Sequence, residues 1–383
     1  MIKSIPFKKF ISKNRPFFIY DGAKLISNIE NVKLTMESIL DTQVTLAFSM
    51  KTQPNYKIIE SIKNQNLSLD VSSLDELNYG LSLGFDPCKL FLGGIGLTDQ
   101  CIKLGLKTNI GGIHLNGIEL FDQTMAVRNS LKSSTKLGIR FHPEYLKGNK
   151  IGETKAALIN KFANSKILEG LHIYVGRESF EKSIVQAIFS DIEDLQRAGV
   201  FQDDWVLYFG PGLPDLDQSP LNLFKIKNSI SQIKIEVGRS IVSSCGYYAA
   251  PVLSVKQFVP ERKTVIIDGG LQHFGSPWVS LRQGPAQIQG TYCDKNGKLK
   301  SGKKEVAAIY GSLCLWHDCL HPSFSVPKDI KRGDWVLVPN MGAYGLTAGV
   351  PLFIGETLPL EFYFDGSQFL NVTHNGFGET ADE

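Results

Sequence analysis

The chain has 383 residues, of which 43% are hydrophobic and 21% charged, and this predicts a globular protein of two domains or of one barrel with an added unit. Its 41 basic and 38 acidic residues are scattered and give a net charge of +3, which excludes a protein built to bind nucleic acid or an acidic membrane surface. The sequence has no apolar stretch of signal-peptide or membrane-span length, and its six cysteines lack zinc-ligand spacing, so we expect a cytoplasmic protein with free thiols and no metal site.

Short apolar runs alternate with amphipathic stretches from residue 20 to 240, which predicts about eight βα units. The predicted strands are, in order, VTLAFSM, LSLDVS, LFLGG, GGIHLN, LGIRF, LEGLHIYVG, WVLYFG and IKIEVG. Helix-like stretches lie between them, and in SSLDELNYGLSLG the pair Ser73 and Glu76 has the spacing of a capping box. We predict an α/β fold with a (β/α)8 TIM-like barrel over residues 20–242, and a doubly wound sheet is the alternative.

The pattern becomes β-rich after residue 242. The predicted strands here are YAAPVLSVKQFV, KTVIIDGG, AQIQGTYC, EVAAIYGSLC, WVLVPNMGAYG and LEFYFDG. Turn formers separate them, and DKNGKLKSGKK is the strongest hairpin signal in the chain. This predicts an antiparallel β domain over residues 243–383, to which residues 1–19 contribute.

Several candidate catalytic and binding residues follow the predicted barrel strands, at the end of the barrel where such enzymes have their active sites. Lys51 follows the first strand, Gly210 and Gly212 form a glycine-rich turn, and Glu236 precedes a Gly-Arg pair, Gly238 and Arg239. Backbone N–H groups of such turns, together with an arginine, bind phosphate. A phosphate site beside a lysine predicts pyridoxal 5′-phosphate held as a Schiff base, with the carboxylate facing the ring nitrogen.

The motifs around these residues resemble those of the fold-type III pyridoxal-phosphate decarboxylases, which include diaminopimelate, ornithine and arginine decarboxylases. Eight motifs match in family order between residues 17 and about 350. They are FSMKTQP for Y-A-V-K-A-N-P, DVSSLDEL for D-V-x-S-x-x-E-L, RFHP for R-I-N-P, NKIG for S-K-F-G, GPGLP for G-G-G-F/L-P, EVGR for E-P-G-R, GSLCLWHD for G-P-x-C-E-S-x-D, and GAYG, which is identical.

The resemblance implies two catalytic residues: Lys51 as the Schiff-base lysine and Cys314 as the proton donor to Cα. It also implies a head-to-tail homodimer in which Cys314, Asp318 and Tyr344 reach the site of the second subunit. With the glycine-rich turn, the predicted cofactor-binding residues are Lys51, Asp70, Arg140, Tyr174, Arg177, Gly210, Gly212, Glu236, Gly238, Arg239 and Tyr344. Asp70, Glu76 and Arg140 could instead only stabilise the barrel mouth by ion pairing. The predicted substrate contacts are Arg282, Leu315 and Asp318.

The sequence departs from the family pattern at four positions. Tyr174 replaces a histidine that stacks on the cofactor, and Arg177 replaces a phosphate-binding serine; both replacements can preserve the contact. Gln53 replaces the usual asparagine, and His172 is interpreted as structural. Leu315 replaces an acidic residue that contacts the distal amino group of diaminopimelate, lysine or ornithine, and leucine cannot pair with an ammonium group.

The stretch DGGLQHF, which contains His273, resembles a subgroup that decarboxylates amino acids attached to a carrier protein or to a citrate-derived siderophore precursor. We therefore predict a pyridoxal-phosphate decarboxylase of an amino acid or conjugate, such as a citryl-diamino acid. The alternatives are a decarboxylase of free diaminopimelate, ornithine or lysine, and a non-catalytic cofactor-binding regulatory homologue, which would lack Lys51 or Cys314. A racemase would need a tyrosine in place of Cys314.

Overall fold

The computed structural model of the chain describes residues 7–146, 151–176, 180–213, 225–226, 230, 232–259, 262–275, 290–355, 357–376 and 379–380. The α-helices are α1 Phe7–Ile11, α2 Gly22–Leu40, α3 Tyr56–Asn64, α4 Leu74–Ser82, α5 Asp99–Lys107, α6 Phe121–Leu131, α7 Lys155–Phe162, α8 Lys182–Arg197 and α9 Arg239–Val242.

The strands of the first half of the chain are β1 Phe17–Asp21, β2 Thr45–Ser49, β3 Ser68–Val71, β4 Leu90–Gly93, β5 Gly112–Leu115, β6 Lys136–Arg140, β7 Leu168–Tyr174, β8 Phe201–Gly210 and β9 Ile233–Val237. Those of the second half are β10 Gly246–Val259, β11 Arg262–Ile267, β12 Thr291–Cys293, β13 Lys304–Tyr310, β14 Cys319–Pro327, β15 Trp335–Pro339, β16 Leu360–Phe364, β17 Phe369–Asn371, β18 His374–Gly376 and β19 Glu379–Thr380.

Contacts divide the chain into two compact units. The barrel unit comprises Ser27–Lys51 and Ile58–Ser240, and the sheet unit comprises Met1–Ile26, Thr52–Lys57 and Ile241–Glu383. None of the helices in the described ranges has the length and hydrophobicity needed to cross a membrane.

In the barrel unit, the described strands β2 to β9 pair in parallel and in chain order, and β9 pairs with β2 to close a barrel. The predicted barrel is confirmed, and the closure rules out the doubly wound sheet. Strand residues that face the surrounding helices, such as Leu69 and Val71, are fully buried. Helix α8 covers the barrel with a stripe that includes Val185, Ile188 and Ile192, which have the spacing of one helix face.

The predicted helix start at Ser73 is confirmed, with one difference. Ser73 Oγ accepts a hydrogen bond from the backbone N–H of Glu76 at 3.1 Å. The Glu76 carboxylate accepts from the backbone N–H of Ser72 at 2.7 Å, one residue before the position of a standard capping box. This contact fixes the backbone just after β3, where Asp70 lies.

Side chains fill the lower part of the barrel. Phe91, Val206 and Tyr208 form a buried cluster there. Lys234 Nζ lies 4.3 Å from the centre of the Phe91 ring, in a cation–π contact. A filled barrel has room for a ligand only at the ends of its strands.

Among the described residues of the sheet unit, nine strands form one sheet in the order β14-β13-β11-β10-β1-β16-β17, with β15 pairing to β10 and β12. The predicted β domain is confirmed, but the sheet is mixed, because β1 pairs in parallel with β16 and β11 with β13. Strand β14 was not predicted. Its sequence, CLHPSFSVP, contains two prolines, which are unfavourable inside a strand.

The hairpin signal in DKNGKLKSGKK marks a tight turn that does not join two long strands. The Asp294 side chain accepts hydrogen bonds from the backbone N–H groups of Asn296 and Lys298, and Cys293 bridges to Leu299. The next strand, β13, pairs with β11 and β14 instead of β12. Turn chemistry is local, whereas strand pairing is decided by the burial of distant segments.

The segment that follows Lys51 is tied into the sheet unit. Gln53 Nε2 donates to the hydroxyl of Tyr20 at 3.1 Å and to the carbonyl of Gly342 at 3.0 Å. The backbone N–H of Tyr344 donates to the carbonyl of Thr52 at 2.8 Å. Gln53, which replaces the family's asparagine, therefore fixes both the turn after Lys51 and the turn before Tyr344.

We expect Gln53→Leu to lower the free energy of unfolding by about 1–3 kcal/mol, because two buried acceptors lose their donor. Urea unfolding of the purified protein measures the change. The matched control is Gln202→Leu, where the amide makes one long hydrogen bond of 3.4 Å to the carbonyl of Ile167, and a change below about 0.5 kcal/mol is expected. Equal losses in the two variants would contradict the anchoring role of Gln53.

Candidate active site

Lys51 lies in a short 3-10 turn, Met50–Thr52, directly after β2. Its Nζ is 3.8 Å from Oδ2 of Asp70 and 3.4 Å from Oγ of Ser72, two groups at the end of β3. The lysine side chain is half exposed and the Asp70 side chain is buried. The lysine is thus oriented by neighbouring groups and still accessible to a ligand.

Asp70 is a buried carboxyl group whose pKa is raised into the neutral range. Burial raises its pKa to about 7, and repulsion by Glu236 acts in the same direction, while Lys51 and Ser49 act against it. Ser49 Oγ donates to Oδ2 of Asp70 at 2.9 Å. The group is therefore poised to exchange a proton beside Lys51.

Glu236, on β9, has the opposite behaviour. Burial would raise its pKa, but His172 overcomes this through its charge and a hydrogen bond, with help from Lys51, and the pKa falls to about 2. The atoms Nε2 of His172 and Oε1 of Glu236 are 2.8 Å apart. Glu236 is thus an ionised carboxylate in a buried position, as a partner for a protonated ring nitrogen must be.

The His172 ring stacks on the His114 ring, with 5.3 Å between centres and 13° between planes. Burial lowers the pKa of His114 to about 3, and His172 adds to the shift, so His114 is neutral at ordinary pH. A Cβ on Gly138 would lie 2.9 Å from Cδ2 of His114. Glycine at this position provides the room for a histidine inside the barrel.

Gly210, at the end of β8, lies next to two predicted site residues. A Cβ there would lie 2.7 Å from Cδ2 of Tyr174 and 3.0 Å from Oε2 of Glu236. Tyr174 is half exposed at the end of β7. Arg140, at the end of β6, has its pKa lowered by burial, while Glu236, Tyr174 and Asp70 act to raise it.

Of the remaining predicted site residues, the structure describes some and not others. Gly212 has a φ of +66°, in the region that favours glycine, and Gly238 with Arg239 links β9 to α9. Arg177 lies outside the described residues, as do the first two residues of NKIG. Arg282 of the sheet unit also lies outside them.

Cys314 is exposed in a loop of the sheet unit between β13 and β14. Leu315 is partly buried, and the neighbouring Trp316 is 90% exposed. Asp318 is 2% exposed, and its two oxygens accept the backbone N–H groups of Leu271 at 2.9 Å and Leu313 at 2.8 Å. This burial argues against the predicted substrate contact of Asp318, whose hydrogen bonds instead hold the loop that carries Cys314.

Tyr344 and His273 also belong to the sheet unit. Tyr344 has a φ of +53°, and its N–H reaches Thr52, the residue after Lys51 in the chain. His273 is buried, with its Nδ1 2.7 Å from the hydroxyl of Tyr248. His273 thus stabilises the DGGLQHF turn, and a buried position does not suit contact with a substrate.

The barrel unit brings together most of the residues that were predicted to bind the cofactor. They are Lys51, Asp70, Arg140, Tyr174, Gly210 and Glu236. Sequence reasoning missed the contribution of His172 and His114. One sequence feature could have identified His172: in the strand LEGLHIYVG side chains alternate between the two faces, so His172 lies on the same face as Tyr174.

A family model described as "Pyridoxal-dependent decarboxylase, C-terminal sheet domain" matches residues 17–342. The chain belongs to this family. It is an amino-acid decarboxylase, and its cofactor is pyridoxal 5′-phosphate.

Two curated relatives illustrate the range of substrates in the family. L-glutamyl-(BtrI acyl-carrier protein) decarboxylase of Niallia circulans is 22% identical, over 96% of this chain and 92% of the relative. Diaminopimelate decarboxylase of Staphylococcus aureus is 26% identical, over 86% of this chain and 84% of the relative.

Two solved structures share the fold of this decarboxylase. A diaminopimelate decarboxylase variant from Helicobacter pylori complexed with L-lysine has a TM-score of 0.79 at 20% identity, and covers 96% of this chain and 95% of its own. The arginine decarboxylase of Paramecium bursaria Chlorella virus has a TM-score of 0.76 at 14% identity, and covers 95% and 100%.

The residues of this decarboxylase fit pyridoxal phosphate. Lys51 is accessible for a Schiff base, Glu236 is ionised for the ring nitrogen, and Gly210 leaves a space that a side chain would fill. Each observation concerns this chain's own atoms, and together they agree with the cofactor that the family uses.

We expect Gly210→Ala to weaken binding of pyridoxal phosphate by about ten-fold or more, because the added methyl displaces Tyr174 and Glu236. Titration of the cofactor-free protein, followed by absorbance, measures the dissociation constant. Gly96→Ala is the matched control, since no atom lies within 4 Å of its added Cβ. Unchanged affinity in the Gly210 variant would show that the cofactor does not use this space.

The raised pKa of Asp70 predicts that the cofactor-free protein loses stability as pH rises from about 4 to about 7, because its folded state binds a proton that the unfolded state has lost. Asp70→Asn should flatten this dependence by up to about 1.4 kcal/mol per pH unit. Glu236, whose pKa is lowered, loses its contribution only below about pH 4.5.

Urea unfolding at a series of pH values measures the slope, and exposed Asp203→Asn is the control expected to retain it. Equal slopes in wild type and Asp70→Asn would contradict a proton on Asp70.

Proposed function

We propose that this decarboxylase acts on an amino acid whose distal end is joined to another group, with Lys51 as the Schiff-base lysine and Cys314 as the Cα proton donor. The observation that carries the substrate proposal is Leu315, which follows Cys314 where the family pattern has an acidic residue. An aliphatic side chain gives a distal ammonium group no partner, and desolvation of an unpaired charge is costly.

Bound pyridoxal phosphate supplies an electron sink for the electrons that remain at Cα when CO2 leaves. Lys51 holds the cofactor and Asp70 exchanges a proton beside it. Glu236 stays ionised next to the ring nitrogen, and Tyr174 presents an aromatic face to the ring. Gly210, Gly212 and Gly238 offer backbone N–H groups to the phosphate, to which Arg239 and Arg177 add positive charge. Arg140 contributes charge at the end of β6.

Two classes of conjugate fit this proposal. One is a citryl-diamino acid, as in siderophore precursors, and the other is an aminoacyl group on a carrier protein, as the name of the Niallia circulans relative indicates for that protein. The exposed Trp316 beside Leu315 supports both, since its ring can cover an uncharged extension of the substrate. Arg282 is proposed to contact a substrate carboxylate.

A decarboxylase of a free amino acid is the second candidate, supported by the diaminopimelate decarboxylases among the relatives. A regulatory homologue without activity is disfavoured, because both Lys51 and Cys314 are present.

We propose further that the protein is a homodimer in which Cys314 and Tyr344 of one copy complete the site of the other. Supporting this, the loop of Cys314 is exposed and carries Trp316, and the same unit exposes Leu352 and Ile354. Exposed apolar side chains of this kind are typical of interfaces.

A reducing, cytoplasmic location fits the six cysteines, all of which are described and none of which forms a disulfide.

The substrate proposal predicts CO2 release from citryl-diamino acids or carrier-bound aminoacyl groups, and at least about ten-fold lower kcat/KM for free diaminopimelate, ornithine, lysine and arginine. Leu315→Asp should lower the KM for the free diamino acids, because it restores a partner for the ammonium group. Leu315→Asn is the matched control without charge. Efficient turnover of a free diamino acid by the wild type would overturn the proposal.

The dimer proposal predicts that Lys51→Ala and Cys314→Ala each lose nearly all CO2 release, and that Lys51→Ala also loses the cofactor's lysine-dependent absorbance band. If subunits share sites, mixing the two variants with subunit exchange restores about a quarter of wild-type activity, because half of the dimers gain one intact site. No recovery in a mixture proven to exchange subunits would mean that each chain supplies both residues to its own site.

A further inference from the structure

His172 and Glu236 approach each other across an intervening strand. They lie on β7 and β9, and β8 lies between them. A Cβ on Gly210 of β8 would come 3.0 Å from Oε2 of Glu236. Glycine at this position therefore leaves space beside that oxygen on the inner face of β8.

The two oxygens of Glu236 have different surroundings. Oε1 lies 2.8 Å from Nε2 of His172, and an ionised carboxylate accepts the hydrogen bond from this N–H. Oε2 faces the space over Gly210, and no hydrogen bond to it is present within the described part of the chain. One oxygen is thus held by the protein and the other is left for a ligand.

The orientation of the His172 ring is restricted in turn. It is buried and stacks on His114, which itself contacts the Tyr208 ring at 3.9 Å between centres. The charged and titratable groups that act on the pair include Lys51, Asp70, His114, Arg140 and Tyr208. Because His114 stays neutral, it packs against His172 without repelling it.

We propose that His172 is a positioning residue, which holds Oε1 of Glu236 so that Oε2 meets the ring nitrogen of pyridoxal phosphate. This inference rests on the proposed role of Glu236 at the ring nitrogen. His172 does not touch the cofactor and acts through the carboxylate. The histidine that the family pattern emphasises, two residues later, is replaced here by Tyr174, so the two positions have separate roles.

The test compares two ligands of the cofactor-free, full-length protein: pyridoxal phosphate, and its analogue in which carbon replaces the ring nitrogen. The ratio of their dissociation constants isolates contacts to the ring nitrogen. We expect Glu236→Gln and His172→Leu each to reduce the wild-type preference for pyridoxal phosphate by about ten-fold, and the double variant to lose no more than either single one. His172→Gln, which retains a donor, should keep the preference within about three-fold.

His172→Asn is a second variant that removes the hydrogen bond, because its amide is too short to reach Oε1, and it should behave as His172→Leu does. With two such variants, the test does not depend on one that folds poorly. Glu169→Gln is the matched control on the same strand, because Glu169 pairs with Arg128 on the outer face of the barrel. It should lower the unfolding midpoint without changing the ligand ratio.

Each remaining outcome separates the two proposals. If the His172 variants weaken both ligands equally while Glu236→Gln changes the ratio, His172 is merely structural and this inference fails, while Glu236 keeps its proposed role. If Glu236→Gln leaves the ratio unchanged, the role of Glu236 at the ring nitrogen fails, and the inference fails with it.

Discussion

The hydrogen bond between His172 and Glu236 is the interaction on which the electrostatics of this site depend. Two carboxyl groups, Asp70 and Glu236, are buried close enough to repel each other, and a low-dielectric interior does not favour two adjacent ionised acids. His172 stabilises the charge on Glu236, and burial raises the pKa of Asp70 to about 7. One buried acid is therefore ionised, and the other has a pKa near neutral pH.

Space inside the barrel is as important as charge. Phe91, Val206 and Tyr208 fill the lower layer, and His114 occupies the next one because Gly138 leaves room for it. Functional groups remain accessible only where the strands end. Gly210 leaves space beside Tyr174 and Glu236 there, so the same residue type creates room for structural and for functional side chains.

The departures from the family pattern are of two kinds. Gln53 is compensated, because its amide donates to the Tyr20 hydroxyl and to the backbone of Gly342 and so holds the turn after Lys51. Leu315 has no such compensation among the described residues, since it follows Cys314 in a loop whose buried acid, Asp318, is already bonded to two backbone N–H groups. The compensated change preserves the scaffold, and the uncompensated one is the change on which the substrate proposal rests.

The sequence by itself determined the eight βα units, their eight strands and the cofactor, because apolar periodicity, capping residues and strand-end motifs are local features of the chain. The pairing of β9 with β2, which closes these strands into a barrel instead of a doubly wound sheet, was decided by the tertiary structure. The sequence also placed Lys51, Glu236 and Gly210 at strand ends. This is enough to predict that they lie close together, because the ends of parallel strands meet at one edge of the sheet. Only the tertiary structure decided that the second sheet is mixed, that Asp318 is buried and that His172 pairs with Glu236. These depend on register and burial between residues distant in the chain, and no local pattern encodes which partner a buried polar group will find.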